Sequence, residues 1–273
     1  MRTARSNGPA ASARPEALDG SPALRAGRAE AAAAAPRPAF YALEIGSWRD
    51  YVTLLHPPYT LWHLSYVVLG AALTPVIHYD RLAATLLAFF LAVGIAAHAL
   101  DELNGRPLRT GIPSAALWSL AAASLAGAVG LGVLGAIIVS PWLLAFVALG
   151  AFFVLAYNLE LFGGRFHSDV WFALTWGAFP LLTAYWTDAE RLGPAAAAGA
   201  LAAFVLSLAQ RSLSSRVRAI RRRALDVRGV VTYEDGSEEQ IDRRWTLAAD
   251  ERALMLLAAA VVTLSAAALL ARA

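Results

Sequence analysis

The most informative stretch of the chain runs His98-Ala99-Leu100-Asp101-Glu102-Leu103-Asn104-Gly105-Arg106-Pro107-Leu108-Arg109-Thr110. On a helix, positions 98, 101, 102 and 105 share one face at i, i+3, i+4 and i+7 spacing. His98, Asp101 and Glu102 would then project together, with Arg106 and Arg109 just beyond. Carboxylates so placed suit a hard divalent cation, and guanidinium groups suit phosphate oxygens. The plainer reading is that these residues mark a helix end and a wet loop.

A second cluster stands at Tyr157-Asn158-Leu159-Glu160 and Arg165-Phe166-His167-Ser168-Asp169. Tyr157, Asn158 and Glu160 could roof a cavity or hold a metal; alternatively they anchor the chain at headgroup level, with Ser168 or Asp169 capping the next helix. Trp171, Trp176, Tyr185 and Trp186 could wall a pocket for a chain-like substrate, although an aromatic belt accounts equally well for all but Trp176. His63 is read as an interhelical, hydrogen-bonded histidine or as a cavity residue.

The elements that must position these groups are membrane helices. Of 273 residues, 58% are hydrophobic and 16% charged, against roughly a quarter charged in soluble domains. Charge-free runs of roughly 20 residues match the bilayer core. Seven spans are expected at 59–78, 82–101, 114–138, 142–159, 168–187, 192–210 and 252–271. The expected fold class is therefore all-α, a polytopic membrane bundle of about seven transmembrane helices with a small cytoplasmic hairpin insert. With no cysteine, disulfides and thiolate metal sites are excluded. All the Lys+Arg total is arginine, so no lysine amine can act in catalysis.

Residues 1–38 read as a disordered tail, and 39–57 as an interfacial helix. The bundle occupies 58–210, then a cytoplasmic basic helix and β-hairpin 211–250, then a last spanning helix 251–273. In the hairpin, Val230-Val231-Thr232 leads into an Asp235-Gly236 turn. The basic part, Leu213 to Leu225, is expected to lie against anionic lipid headgroups. Arginine is concentrated in the connectors 102–113, 160–167 and 211–250, which places them and the N-terminus in the cytoplasm and the C-terminus outside.

Several of these pieces resemble the UbiA superfamily of intramembrane prenyltransferases. His56-Pro57-Pro58-Tyr59-Thr60-Leu61 resembles the start of its first helix, Asp101 through Arg109 its first aspartate-rich loop, and Tyr157-Asn158 with Trp171 to Pro180 its middle section. The likeness covers roughly 54–210. The family's first acidic motif reads here as Ala97, Asp101 and Gly105, and Gln210-Arg211-Ser212-Leu213-Ser214 stands where the second should come.

The resemblance implies transfer or rearrangement of a prenyl chain from an isoprenoid diphosphate onto a lipophilic acceptor, with Mg2+ as cofactor. It implies Asp101, Glu102 and Tyr157 as catalytic residues and Asp101, Glu102 and His98 as metal ligands. Arg106, Arg109, Asn158 and Trp176 would bind substrate. Expected partners are that diphosphate, the acceptor and membrane lipids, and no nucleic acid. The alternative is a catalytically degenerate UbiA-like protein that binds lipid or acts as a scaffold. A transporter would need a polar path through both faces, which the outer halves of these helices lack.

Overall fold

The computed structural model describes residues 37–272. The expected tail over 1–38 therefore lies, except for its last two residues, outside the described residues. The regular elements are helices apart from one hairpin: α1 (Trp48–Leu54), α2 (Pro57–Ala72), α3 (Tyr79–Leu103), α4 (Ser114–Ile138), α5 (Leu143–Asn158), α6 (169–189), α7 (Pro194–Arg223), β1 (Gly229–Thr232), β2 (Glu238–Ile241) and α8 (Arg243–Leu270).

Four helices, α3, α4, α7 and α8, are long and apolar enough to cross a membrane. Only 22–33% of the residues in their apolar windows are buried by protein. Ile137, Leu201, Leu256 and Leu264 stand exposed on them. That much apolar surface would be a liability in water and suits hydrocarbon. Helices α2 and α5 are shorter, at 16 residues each.

Two helices carry wide, π-helical turns: Phe90–Ala97 in α3 and Ala173–Ala178 in α6. Such turns behave as local insertions and leave carbonyls free for other donors. Glycine allows α6 to approach α7 closely. A Cβ at Gly177 would lie 2.7 Å from the Ala203 carbonyl oxygen and 2.5 Å from Ser207 Oγ. Polar contacts join α2 to α7: Trp62 Nε1 donates to the Tyr66 hydroxyl at 2.5 Å, and Ser207 Oγ donates to the same oxygen at 3.2 Å. Around them Trp62, Tyr66, Leu181, Ala203 and Val261 form one apolar core.

Three expectations change. The interfacial helix over 39–57 shrinks to α1, and Phe40 and Tyr41 instead lie in an irregular strap turned onto the bundle. The basic stretch is no separate helix: α7 runs unbroken for 30 residues to Arg223. Past Gly199 nothing interrupts it, because the residues are strong helix formers without glycine or proline. The last helix begins at Arg243 rather than near 252, where the Asp242 side chain accepts the Trp245 backbone N–H at 2.7 Å. The hairpin is present, pairing Gly229 with Ile241 and Thr232 with Glu238 around Gly236, whose φ of 81° the turn requires.

Candidate functional site

Among the described residues two cavities stand out in the bundle. The polar one measures about 210 Å³. It is enclosed by the strap, the start of α2, the end of α3, the end of α5, the start of α6 and the second half of α7. The apolar one, about 300 Å³, lies among α3, α4, α5 and α6. Most of its walls are small or hydrocarbon groups such as Ala88, Ala92, Gly132 and Gly150, with Asp80 and Arg81 also on the lining. Val93 and Trp176 line both cavities.

Four of the five histidines in the chain face the polar chamber: His56, His63, His98 and His167. The wide turns help fix two of them. His98 Nδ1 lies 3.0 Å from the Gly94 carbonyl oxygen and His63 Nδ1 2.8 Å from that of Trp176. His167 Nδ1 meets the Tyr157 carbonyl oxygen at 3.0 Å. A carbonyl only accepts, so Nδ1 carries hydrogen in all three, and in each neutral ring Nε2 is the acceptor. His56 stacks on His98 with ring centroids 4.0 Å apart. Burial, then the nearby His98, Arg222 and Arg218, hold the His56 imidazole well below its ordinary pKa. Burial likewise pushes the Tyr41 phenol well above its usual value.

Helix α7 supplies the positive charge. Gln210, Arg211, Ser214, Arg218 and Arg222 recur at helical spacing along the side that faces the chamber. Arg211 Nε donates to Asp169 Oδ1 at 2.8 Å, and its guanidinium lies 5.3 Å from the Phe172 ring centre. Arg222 Nε donates to the Pro38 carbonyl at 3.4 Å, tying the strap across the opening. Gln210 Oε1, His56 Nε2 and the Tyr157 hydroxyl are buried without a hydrogen-bond partner among the described residues. Buried polar atoms left unpaired are costly, and a polar ligand would satisfy them.

Of the expected site residues, the structure brings His98, Asp101, Tyr157, Asn158 and Trp176 onto the chamber wall. Asn158 is half committed, since its side-chain N–H donates to the Val154 carbonyl at 2.7 Å. Glu102 is elsewhere. It is 0% exposed, and its carboxylate accepts from Leu108 N at 2.9 Å, Thr110 N at 2.8 Å and Thr110 Oγ1 at 2.9 Å. Asp101 faces the chamber, while Glu102, about 100° further round the helix, is turned into the 104–113 loop.

Arg106 also builds the 104–113 loop, donating to the Ile112 carbonyl at 2.6 Å and to Ser114 Oγ at 2.7 Å. Arg109 is exposed, with a left-handed φ of 57°. Neither arginine lines the chamber. Asp169 pairs with Arg211, and Ser168 caps α6 by accepting from Trp171 N at 3.3 Å. His63 fulfils both of its readings, bonding between helices and facing the chamber.

The residues missed from sequence are those of α7 and the strap. Arg211, Arg218 and Arg222, spaced by seven and four, were legible as one helical stripe. The expectation that Leu213 to Leu225 lies against lipid headgroups sets Arg218 and Arg222 outside the bundle, whereas the structure turns them inward.

The magnesium site that the resemblance implies does not fit these side chains. Asp101 is the lone carboxylate on the chamber wall among the described residues. Among the described residues no group of three or more acidic or histidine side chains converges as metal ligands. A hard cation needs several oxygen donors, and this wall offers mainly nitrogen donors and phenols. No protein-family model, no curated protein and no solved structure matches the chain.

Proposed function

We propose that the chain is a seven-span membrane protein of UbiA-like type that binds an isoprenoid diphosphate and transfers its prenyl chain to a lipophilic acceptor. In this reading α2, α5 and α6 cross the bilayer along with the four longer helices. The Arg-rich end, with the N-terminus and the hairpin, is cytoplasmic, and the C-terminus is outside. The diphosphate head occupies the polar chamber and the isoprenoid tail the apolar cavity. One observation carries this: Val93 and Trp176 belong to both walls, so the two cavities are neighbours, and the head and tail of one amphipathic molecule would meet at these two side chains.

Transfer breaks the bond between the allylic carbon and the diphosphate oxygen, with the electron pair leaving on the diphosphate. The acceptor forms the new bond to that carbon, and the proton it sheds passes to the released diphosphate. Positive groups aimed at the departing oxygens lower the barrier. Trp176, an aromatic residue on the wall of both cavities, would stabilise the developing carbocation.

The test is incubation of the purified chain in lipid with labelled farnesyl diphosphate and a quinone-like or phenolic acceptor. Diphosphate release that depends on acceptor supports transfer. Saturable binding with no release supports the second reading, a lipid-binding or scaffolding protein, which the single carboxylate on the chamber wall favours. No binding at all removes both.

A further inference from the structure

Nearly every acid near the chamber already has a structural partner. Glu102 holds the 104–113 loop through three hydrogen bonds. Asp50 accepts from Gly111 N at 2.9 Å and from Gly46 N at 3.1 Å. Asp169 is paired with Arg211 at 2.8 Å, Asp250 with Arg216 at 3.4 Å, and Glu251 with Arg221. The arginines show the opposite pattern. Among the described residues neither Arg218 nor Arg222 is paired with a carboxylate. Both line the chamber, where Arg218 donates only to Ser215 Oγ, at 3.1 Å, one turn back on its own helix.

We propose that this chamber grips a diphosphate with the guanidinium groups of Arg218 and Arg222, Arg211 assisting, and that these groups replace a divalent cation. The inference rests on the isoprenoid diphosphate reading above and adds how the head is held. Guanidinium stays charged at any physiological pH and presents paired N–H donors that match phosphate oxygens. Among the described residues one carboxylate, Asp101, shares the wall with these two groups and is in salt-bridge contact with neither. The half-enclosed space therefore holds an excess of positive charge, which a polyanion would complete. The Tyr157 hydroxyl, buried without a partner among the described residues, adds a neutral donor on the same wall. A site built for magnesium would invert this, with acids inside and arginines outside.

The experiment measures farnesyl diphosphate binding to the full chain in phosphatidylcholine nanodiscs, with excess EDTA and again with magnesium. Equal affinity in the two buffers is expected. Arg218→Met should weaken binding roughly ten- to hundredfold. Arg218→Lys should recover only part, because an ammonium lacks the planar fork. Arg216→Met, altering a guanidinium off the chamber wall, should leave affinity unchanged. Should Arg218→Met not fold, as read from its melting without ligand, Arg222→Gln and the wild-type EDTA comparison decide the matter. Binding that appears only with magnesium overturns this inference and leaves the isoprenoid reading intact. Binding in neither buffer overturns both. Equal affinity for dodecyl phosphate keeps the guanidinium site and overturns the isoprenoid assignment.

Discussion

Neighbouring acids Asp101 and Glu102 should respond to amide substitution in opposite ways. In Glu102→Gln the amide oxygen can still accept from Thr110 N and Thr110 Oγ1, which both address Oε1. The new NH2 group then faces Leu108 N, which had donated to Oε2 at 2.9 Å. One charge-assisted bond is lost and two donors oppose each other in a fully buried place, a cost of about 2–4 kcal/mol. For a chain of this size that corresponds to a melting decrease of roughly 4–16 °C. Glu102→Ala strips all three bonds and should cost more. Asp101→Asn breaks none of these contacts, so its melting should stay near wild type while its effect appears in ligand binding. The assay is thermal unfolding in detergent, monitored by the fluorescence of the eight tryptophans. A Glu102→Gln protein that melts with wild type yet loses diphosphate binding would refute this, returning Glu102 to the chamber.

The same geometry fixes other outcomes. The His56 pKa is depressed in the folded chain and ordinary, about 6.5, in the unfolded one; its contribution to stability is therefore complete above about pH 6.5 and declines as acid is added. His56→Gln should lessen the acid-induced fall in melting temperature, and an unchanged fall would show that His56 is not responsible. Gly177→Ala should destabilise by about 1–3 kcal/mol by forcing α6 off α7, whereas Gly130→Ala, with open space around it, should not; equal melting of the two variants would contradict the close approach. Val93→Phe should block the junction of the cavities, weakening farnesyl diphosphate while leaving inorganic pyrophosphate binding intact; parallel loss of both would mean that the tail does not pass Val93. Because the chain has no cysteine, Ser237→Cys places a single label on the hairpin; labelling by an impermeant maleimide from outside intact cells would overturn the cytoplasmic assignment.

The helices were legible because apolar runs and their breaks are local. Ser114 to Ile138 was bounded to the residue, and the Asp-Gly turn announced the hairpin. The division of labour between Asp101 and Glu102 was not, since which of two adjacent side chains faces a cavity depends on the packing of other helices. The chamber was half visible. Tyr157, Asn158, Asp101 and His98 were found because they cluster in sequence at helix ends, and the α7 arginines were read as facing lipid because basic residues after an apolar span commonly do. The strap was harder still. Phe40 and Tyr41 look like interfacial anchors, and ties from Arg221 to the Arg37 carbonyl and from Arg222 to the Pro38 carbonyl turn that segment over the opening.

The two wide turns also constrain how this chain can vary. Each gives its helix a phase offset, so the halves on either side do not share the rotational register of one continuous α-helix. Deleting one residue within Phe90–Ala97 would restore ordinary winding and leave His98 and Asp101 at nearly the same bearing. Deleting one from the regular turns before it, Tyr79–Phe89, with the wide turn kept, would swing both around the axis by about 100°. Hydrophobicity would hardly change, and the rod would still be long enough to span. A one-codon loss there would leave a membrane helix of normal appearance whose polar side chains address the wrong neighbours.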